Sequence, residues 1–387
     1  MVKYKYKDVI NLKKISKFKV DYNILIPLFI FFIISIVSIY STRRLLPVEY
    51  HNLWIKQVIW YTIGLVLAYL TMIYGNKFLY NNAYIFYTIG VILLFLVLFF
   101  GTTVNNATCW FKIPFIGTLQ PSEFMKVFLI IILARIIGDF NETNKNADII
   151  SELKLILEVL LIVFIPSVLT FIEPDTGAVI MYLIITFIML FVSGIRKRWF
   201  ILTAALLILA LGLFLGIYYF KQDLFTQLFG TSFFYRMDRI TNWSQASGLQ
   251  LENSLTAIGS AGTLGHGINN TPIYFPEMQT DFIFSVFSSN TGLFGSMILI
   301  IAIIYFDLTL ISYHNKTFDE TNKYTIGGII GVIMFGQIYN IAMTIGLLPI
   351  MGITLPFISY GGSSLLSYML LLGMIFNISN ESLRYAN

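Results

Sequence analysis

Ten stretches of about eighteen or more mostly apolar residues recur along the chain, at 24–41, 57–74, 82–100, 120–138, 155–172, 177–194, 200–219, 282–312, 325–347 and 361–379. A run of that length crosses a hydrocarbon layer as a helix, because a backbone in lipid must satisfy its own N–H and C=O groups. The runs are about twice as long as a barrel strand and lack its alternation of polar and apolar residues. The expected fold class is therefore an all-α integral membrane protein, a polytopic bundle of about ten transmembrane helices. Composition agrees: of 387 residues, 57% are hydrophobic and 12% charged, far from the balance of soluble domains.

The first run follows the basic segment "MVKYKYKDVINLKKISKFKV" and ends in "IYSTRR", with no small-residue cleavage site, so it reads as a retained helix. Placing the amino terminus in the cytoplasm puts most of the 25 Lys and Arg residues inside, among them Arg196, Lys197 and Arg198. Both termini are then expected to be cytoplasmic. The organisation that follows is a basic amino-terminal segment 1–22, one membrane domain 23–380 and a short tail 381–387. Most connections are short. The exception, 220–281 between spans seven and eight, is expected to be a large outer loop, ordered and re-entrant over an outward-facing cavity. Residues 101–119, with Trp110 and Phe111, are expected to lie in the interface, where aromatic rings belong.

The formal net charge of +5 is scattered through juxtamembrane segments, which suits anionic lipid headgroups and argues against nucleic acid. Cys109 is the only cysteine, which excludes an intrachain disulfide and a cysteine metal site. His51, His266 and His314 fall in three separate predicted loops, which argues against a histidine metal cluster. The chain shows neither a G-x-S-x-G nucleophile elbow nor an H-E-x-x-H zinc motif.

Ionisable residues inside spans point to chemistry, since each costs about 2.5–3.5 kcal/mol at mid-bilayer and must meet a partner or water. In "LQPSEFMKVF", Glu123 and Lys126 share one helical face near the outer end of the fourth span. Pro121 suits a first turn, with Gln120 or Ser122 at the cap. The pair is either an internal salt bridge or a charged patch lining a substrate groove. Glu173 and Asp175, in "FIEPDTGAV", read as capping residues of a short outer turn. In "FPEMQTDFIFSVFSS", Asp281 stands at the mouth of an apolar run. Thr280 or Asp281 is expected to cap the helix there, whose positive end would keep the carboxylate ionised and usable as a base. Gly259, Gly262, Gly265 and Gly267 suggest a flexible turn whose N–H groups approach a phosphate, with Arg236 and Arg239 as cationic partners.

Five segments in order, "WFKIPFIGTLQPSEFMKV", "EPDTGAVI", "NSLTAIGSAGTLGHGI", "FPEMQTDFIFSV" and "GLLPIMGITLPFISYGGSSLL", resemble the FtsW/RodA family of bacterial cell-wall proteins, the SEDS proteins. The resemblance runs from about residue 20 to residue 380. It implies a ten-helix glycosyltransferase of the bacterial cytoplasmic membrane that polymerises lipid II, the undecaprenyl-diphosphate-linked disaccharide peptide, into glycan strands at the outer face. It implies a partner, a single-pass class B penicillin-binding protein that cross-links the product. The family's essential acid matches Asp281, its outer-cavity Glu and Lys match Glu123 and Lys126, and its functional tryptophan matches Trp110. The chain departs from the family pattern at Cys109, where a basic residue is usual, and at Ser289 and Asn290, where an acidic pair is common.

The implied reaction is an inverting single displacement with Asp281 as general base. Charge on the departing diphosphate would be neutralised by Lys126, Arg236, Arg239 or a divalent cation, Mg or Mn; no cofactor is strictly required. Two other functions suit the same features: a flippase for lipid-linked precursor, and a non-catalytic scaffold for the cross-linking partner.

Overall fold

The computed structural model describes residues 21–385, apart from 105–106, 114–116, 145–146, 232 and 235–247. Its helices are α1 (Tyr22–Thr42), α2 (Leu53–Tyr74), α3 (Asn76–Asn81), α4 (Ala83–Phe100), α5 (Pro121–Thr143), α6 (Ile149–Ile172), α7 (Thr176–Val192), α8 (Lys197–Phe220), α9 (Gln222–Phe229), α10 (Gly248–Gly259), α11 (Ile283–Lys316), α12 (Glu320–Thr344) and α13 (Gly362–Tyr385). Among the described residues seven helices are long and apolar enough to cross a membrane: α1, α2, α4, α6, α11, α12 and α13. The expected count of about ten would add α5, α7 and α8. Of these, α7 is apolar but only 17 residues long, and α5 is interrupted by Glu123, Lys126, Arg135 and Asp139.

Aspartates start several of these helices. Asp21 accepts from Asn23 N at 3.1 Å, Asp148 from Ser151 N at 2.9 Å, Asp175 from Ala178 N at 3.1 Å and Asp319 from Asn322 N at 3.0 Å. Each bond satisfies an orphan first-turn N–H and stabilises its helix by about 1 kcal/mol.

The charges of α5 are tolerable because α5 is the central helix. It packs against α4, α6, α7, α12 and α13, and from Met125 to Gly138 nearly every side chain is buried. Around it, α13 lies on α2, and α11 on α1 and α12. The outward faces of α2, α4 and α6 carry exposed Ile, Leu and Phe, as lipid contact demands. One further acid, Asp307 of α11, is buried against Gln337 of α12, whose amide nitrogen in its donating orientation lies 2.9 and 3.0 Å from the carboxylate oxygens.

Two segments depart from the expectation. Residues 102–119, for which the sequence suggested no regular structure, form an antiparallel sheet of β1 (Thr102–Val104), β2 (Ala107–Ile113) and β3 (Gly117–Leu119) in the order β1-β2-β3. Thr102 pairs with Trp110, and Phe111 with Leu119. Thr, Val, Trp and Phe favour such strands, so the fold is not purely α.

The second departure is a break in α11 at Gly292, where φ is +67° and ψ −159°. The backbone there is joined to the segment before it: His266 N donates to Ser289 O at 2.9 Å, Gly267 N to Asn290 O at 3.0 Å and Leu293 N to Gly262 O at 3.1 Å. The glycine stretch therefore spends N–H groups on backbone carbonyls, and the expected phosphate-binding turn is corrected to a splice between two chain segments. A Cβ at Gly292 would stand 2.4 Å from Gly265 N and 2.6 Å from the Thr263 carbonyl. Gly292→Ala should cost about 1–3 kcal/mol, read as a thermal midpoint several degrees lower in detergent; an unchanged midpoint would show that the splice yields freely.

Candidate active site

The site lies at the end of the bundle where α5 and α7 begin. Pro121 occupies the first turn of α5, as expected, and the N-cap position falls to Gln120, whose side chain makes no capping bond. Its amide instead donates to Asp175 Oδ2 at 2.8 Å, and the Ser122 hydroxyl donates to the same oxygen at 2.8 Å. Asp175 Oδ1 meanwhile caps α7. One carboxylate thus serves the N-termini of two helices. Tyr182, further along α7, donates to Ser122 O at 3.0 Å, and Ser363 Oγ of α13 accepts from Gln120 N at 2.9 Å.

One turn into α5, Lys126 Nζ lies 2.6 Å from Glu123 Oε2, with the lysine side chain 4% exposed and the glutamate 13%. The ammonium stands 5.3 Å from the Tyr368 ring centre, and Ser367 Oγ donates to Glu123 at 3.4 Å. The pair is a buried salt bridge, as the first of the two sequence readings has it, with the glutamate the slightly more exposed partner.

Glu173, just before Asp175, is 1% exposed, and neither carboxylate oxygen has a hydrogen-bond partner. Burial, with the Asp175 charge, pushes its pKa up to about 8, so the carboxyl is neutral at pH 7. Asp175 is also raised, by burial first and by Glu123, against the lowering effects of Ala178 N–H, Ser122 and Lys126. The sheet reaches the same turn, since Cys109 Sγ donates to Glu173 O at 2.9 Å. Trp110 is therefore beside the turn, although among the described residues no hydrogen bond or ring contact joins its indole to Glu123, Lys126 or Asp281.

Asp281 sits on a platform built by residues 350–361. Asn340 Nδ2 donates to Asp281 O at 2.7 Å and to Ile353 O at 2.8 Å. Ser359 Oγ donates to Thr280 O at 2.7 Å and accepts from Leu355 N at 2.8 Å, and Tyr360 N donates to Gln279 O at 2.9 Å. Gln57 of α2 closes the back of the platform on Ser359 O at 3.1 Å. Helix α11 is capped neither by Thr280 nor by Asp281. Its N-cap is Phe282, with no side-chain cap bond, and Thr280 Oγ1 donates to Glu277 at 2.7 Å instead.

The Asp281 carboxylate, half-buried, carries no hydrogen bond among the described residues and faces Gly352, where an added Cβ would stand 3.8 Å from Oδ2. Burial, then Glu277 and Asp175, pushes its pKa up to about 7. The expected cap by Thr280 or Asp281 is corrected: without an N-cap bond, desolvation and like charge dominate at this carboxyl. The Asp175 charge acts on Asp281 and is itself influenced by Glu123 and Lys126, so the four groups are linked electrostatically.

Arg236 and Arg239 lie outside the described residues. Among the described residues no three His, Cys, Asp or Glu side chains form a metal-holding group. A separate cavity of about 270 Å³ lies beside Asn144, Glu152 and Arg196, at the far end of α5. Arg196, Arg198 and the Trp199 indole already satisfy its carboxylate, so it lacks a free reactive group.

Sequence reasoning left Asn340 and Gln57 unremarked and gave Asp175 only a cap. An amide deep inside an apolar run was the available signal for the first two; the double role of Asp175 needed the α5–α7 contact.

Fold and site together define a multi-pass helical membrane protein with acids gathered at the first turns of its central helix. Residues 20–384 match the FtsW/RodA/SpoVE family, described as cell cycle proteins, and the chain belongs to it. It is 33% identical over 332 residues to peptidoglycan glycosyltransferase MrdB of Helicobacter pylori, covering 84% of this chain and 82% of that one. It is 32% identical over 292 residues to a probable peptidoglycan glycosyltransferase FtsW of Coxiella burnetii, covering 72% and 73%. Its fold matches a chain of a solved peptidoglycan synthase complex at TM-score 0.78, 22% identity and coverage of 94% and 98%. It also matches rod shape determining protein RodA of Thermus thermophilus at TM-score 0.68, 23% identity and coverage of 94% and 97%.

Two outcomes follow from the buried charges. Glu123→Ala strands a buried ammonium and should destabilise by about 3–5 kcal/mol, whereas Glu123→Ala combined with Lys126→Met should recover most of that loss in chemical denaturation. Glu173 binds its proton more tightly folded, its pKa rising from 4.5 to about 8. Its contribution is fully present below pH 4.5 and is lost as pH rises through about 8. Thermal midpoints of Glu173→Gln should therefore lack the decline between about pH 4.5 and 8; an identical decline in both proteins would show that another group titrates.

Proposed function

We propose that this protein is a peptidoglycan glycosyltransferase that polymerises lipid II at the outer face of the bacterial cytoplasmic membrane. In this reading α5, α7 and α8 complete a ten-span domain, 23–380, with both termini in the cytoplasm. The observation that carries it is the Asp281 carboxylate, without a hydrogen bond among the described residues, held on a hydrogen-bonded platform and poised near neutrality by burial, Glu277 and Asp175. The names of the relatives from Helicobacter pylori and Coxiella burnetii support the activity. The match to a synthase complex supports a class B penicillin-binding protein as partner.

The chemistry is an in-line displacement. Asp281 takes the proton of the acceptor sugar 4-hydroxyl as its oxygen bonds to the donor anomeric carbon. The bond from that carbon to the diphosphate oxygen breaks, and undecaprenyl diphosphate leaves with the electron pair. An α-linked donor gives a β-linked product, with no covalent enzyme intermediate. A base with a pKa near the operating pH is best matched to this task. Lys126 is the described cation nearest the leaving group's needs, but in this structure it is engaged by Glu123 at 2.6 Å. A lysine ammonium carries three N–H donors, so a phosphate oxygen can be met by one not used by Glu123.

Asp281→Asn should insert and fold yet make no glycan from purified lipid II. In the wild-type protein kcat should fall about tenfold per pH unit below about 7, as the base becomes protonated. Polymer formed by the variant would remove Asp281 from the chemistry. In sealed vesicles, movement of labelled lipid II without chain lengthening would instead establish a flippase, and activity of neither kind a scaffold.

A further inference from the structure

The charged pair of α5 can act on substrate only if the first turn of that helix is correctly placed, and Gln120, the residue at its N-cap position, does not cap it. The stabilising negative charge at this positive helix end is supplied from a distant part of the chain. Asp175 receives the Gln120 amide and the Ser122 hydroxyl, both at 2.8 Å, on one oxygen, and Ala178 N at 3.1 Å on the other. Hydrogen bonds to an ionised acceptor are about twice as strong as neutral ones. Tyr182 fixes the same turn from α7 through Ser122 O, and Ser363 fixes it from α13 through Gln120 N. Glu123 and Lys126 follow directly in the chain, so any slip of this turn displaces both.

We propose that Asp175 is a positioning residue of the glycosyl-transfer site: by bridging the first turns of α5 and α7 it sets the register in which Glu123 and Lys126 meet the substrate diphosphate. This rests on the glycosyltransferase reading and extends it to a residue that touches neither sugar nor phosphate. A simple helix cap would use one oxygen and one helix, whereas here the second oxygen is committed to α5. Asparagine could keep the α7 cap through its carbonyl oxygen. Its amide would then face two donors, until Gln120 flips and Ser122 turns to accept.

The test uses the full-length protein in detergent with purified lipid II. Asp148→Ala is the control, removing the same kind of cap from α6, where it bonds Ser151 N. Asp175→Ala should lower kcat by about tenfold to a hundredfold with less than about a threefold change in KM, while Asp148→Ala lowers only the thermal midpoint. Asp175→Asn should keep the midpoint and restore part of kcat. Adding Ser122→Ala to Asp175→Ala should cost no further activity, because the two act as one unit.

A second readout needs no turnover: the midpoint shifts of Asp175→Ala and Glu123→Ala should fail to add in the double variant. Additive shifts, or a kcat for Asp175→Ala no lower than for Asp148→Ala, would overturn the proposal. Wild-type protein that makes no glycan would sink the glycosyltransferase reading, and the stability cycle alone would then decide the positioning role.

Discussion

A charged pair inside a membrane domain needs a shell of protein, and the arrangement of the whole bundle follows from supplying one. Glu123 and Lys126 lie on α5, and α5 is wrapped by α4, α6, α7, α12 and α13, so that neither charge has to meet lipid. The exposed apolar faces are left to the surrounding helices. Burial on this scale also rigidifies: with Met125 to Gly138 packed on almost every side, the direction in which the first turn of α5 presents its charges is set by the core.

Asp281 is an acid held through its backbone. Its own carbonyl is bonded by Asn340, and the carbonyls of its neighbours Thr280 and Gln279 by Ser359 and Tyr360. Among the described residues the carboxylate itself has no hydrogen-bond partner. That division suits the proposed base, since a hydrogen bond to the charged form would lower its basicity.

The long apolar runs announced their helices closely, as at 24–41 for α1 (Tyr22–Thr42) and 325–347 for α12 (Glu320–Thr344), because hydropathy is a local property of the chain. The Glu123–Lys126 pair was equally legible, three residues apart on one helix. Features that depend on distant partners were not. The sheet at 102–119 forms by pairing strands only three to seven residues long, below the length at which periodicity speaks. The electrostatics of Asp281 were misjudged because they depend on Glu277, Asp175 and the platform around Gly352 rather than on the helix that follows. Asp175 was legible as a cap, but its second oxygen's partners are more than fifty residues away, at 53 and 55.

The break in α11 is pinned from both sides. Ser289 O and Asn290 O before Gly292, and Leu293 N and Phe294 N after it, are all bonded to the chain at 262–267, and further on the helix continues against α1 and α12. The segment that precedes Asp281 in the sequence thus clamps both arms of the helix that follows it. A load on either arm is shared with that clamp and does not fall on the bent glycine alone.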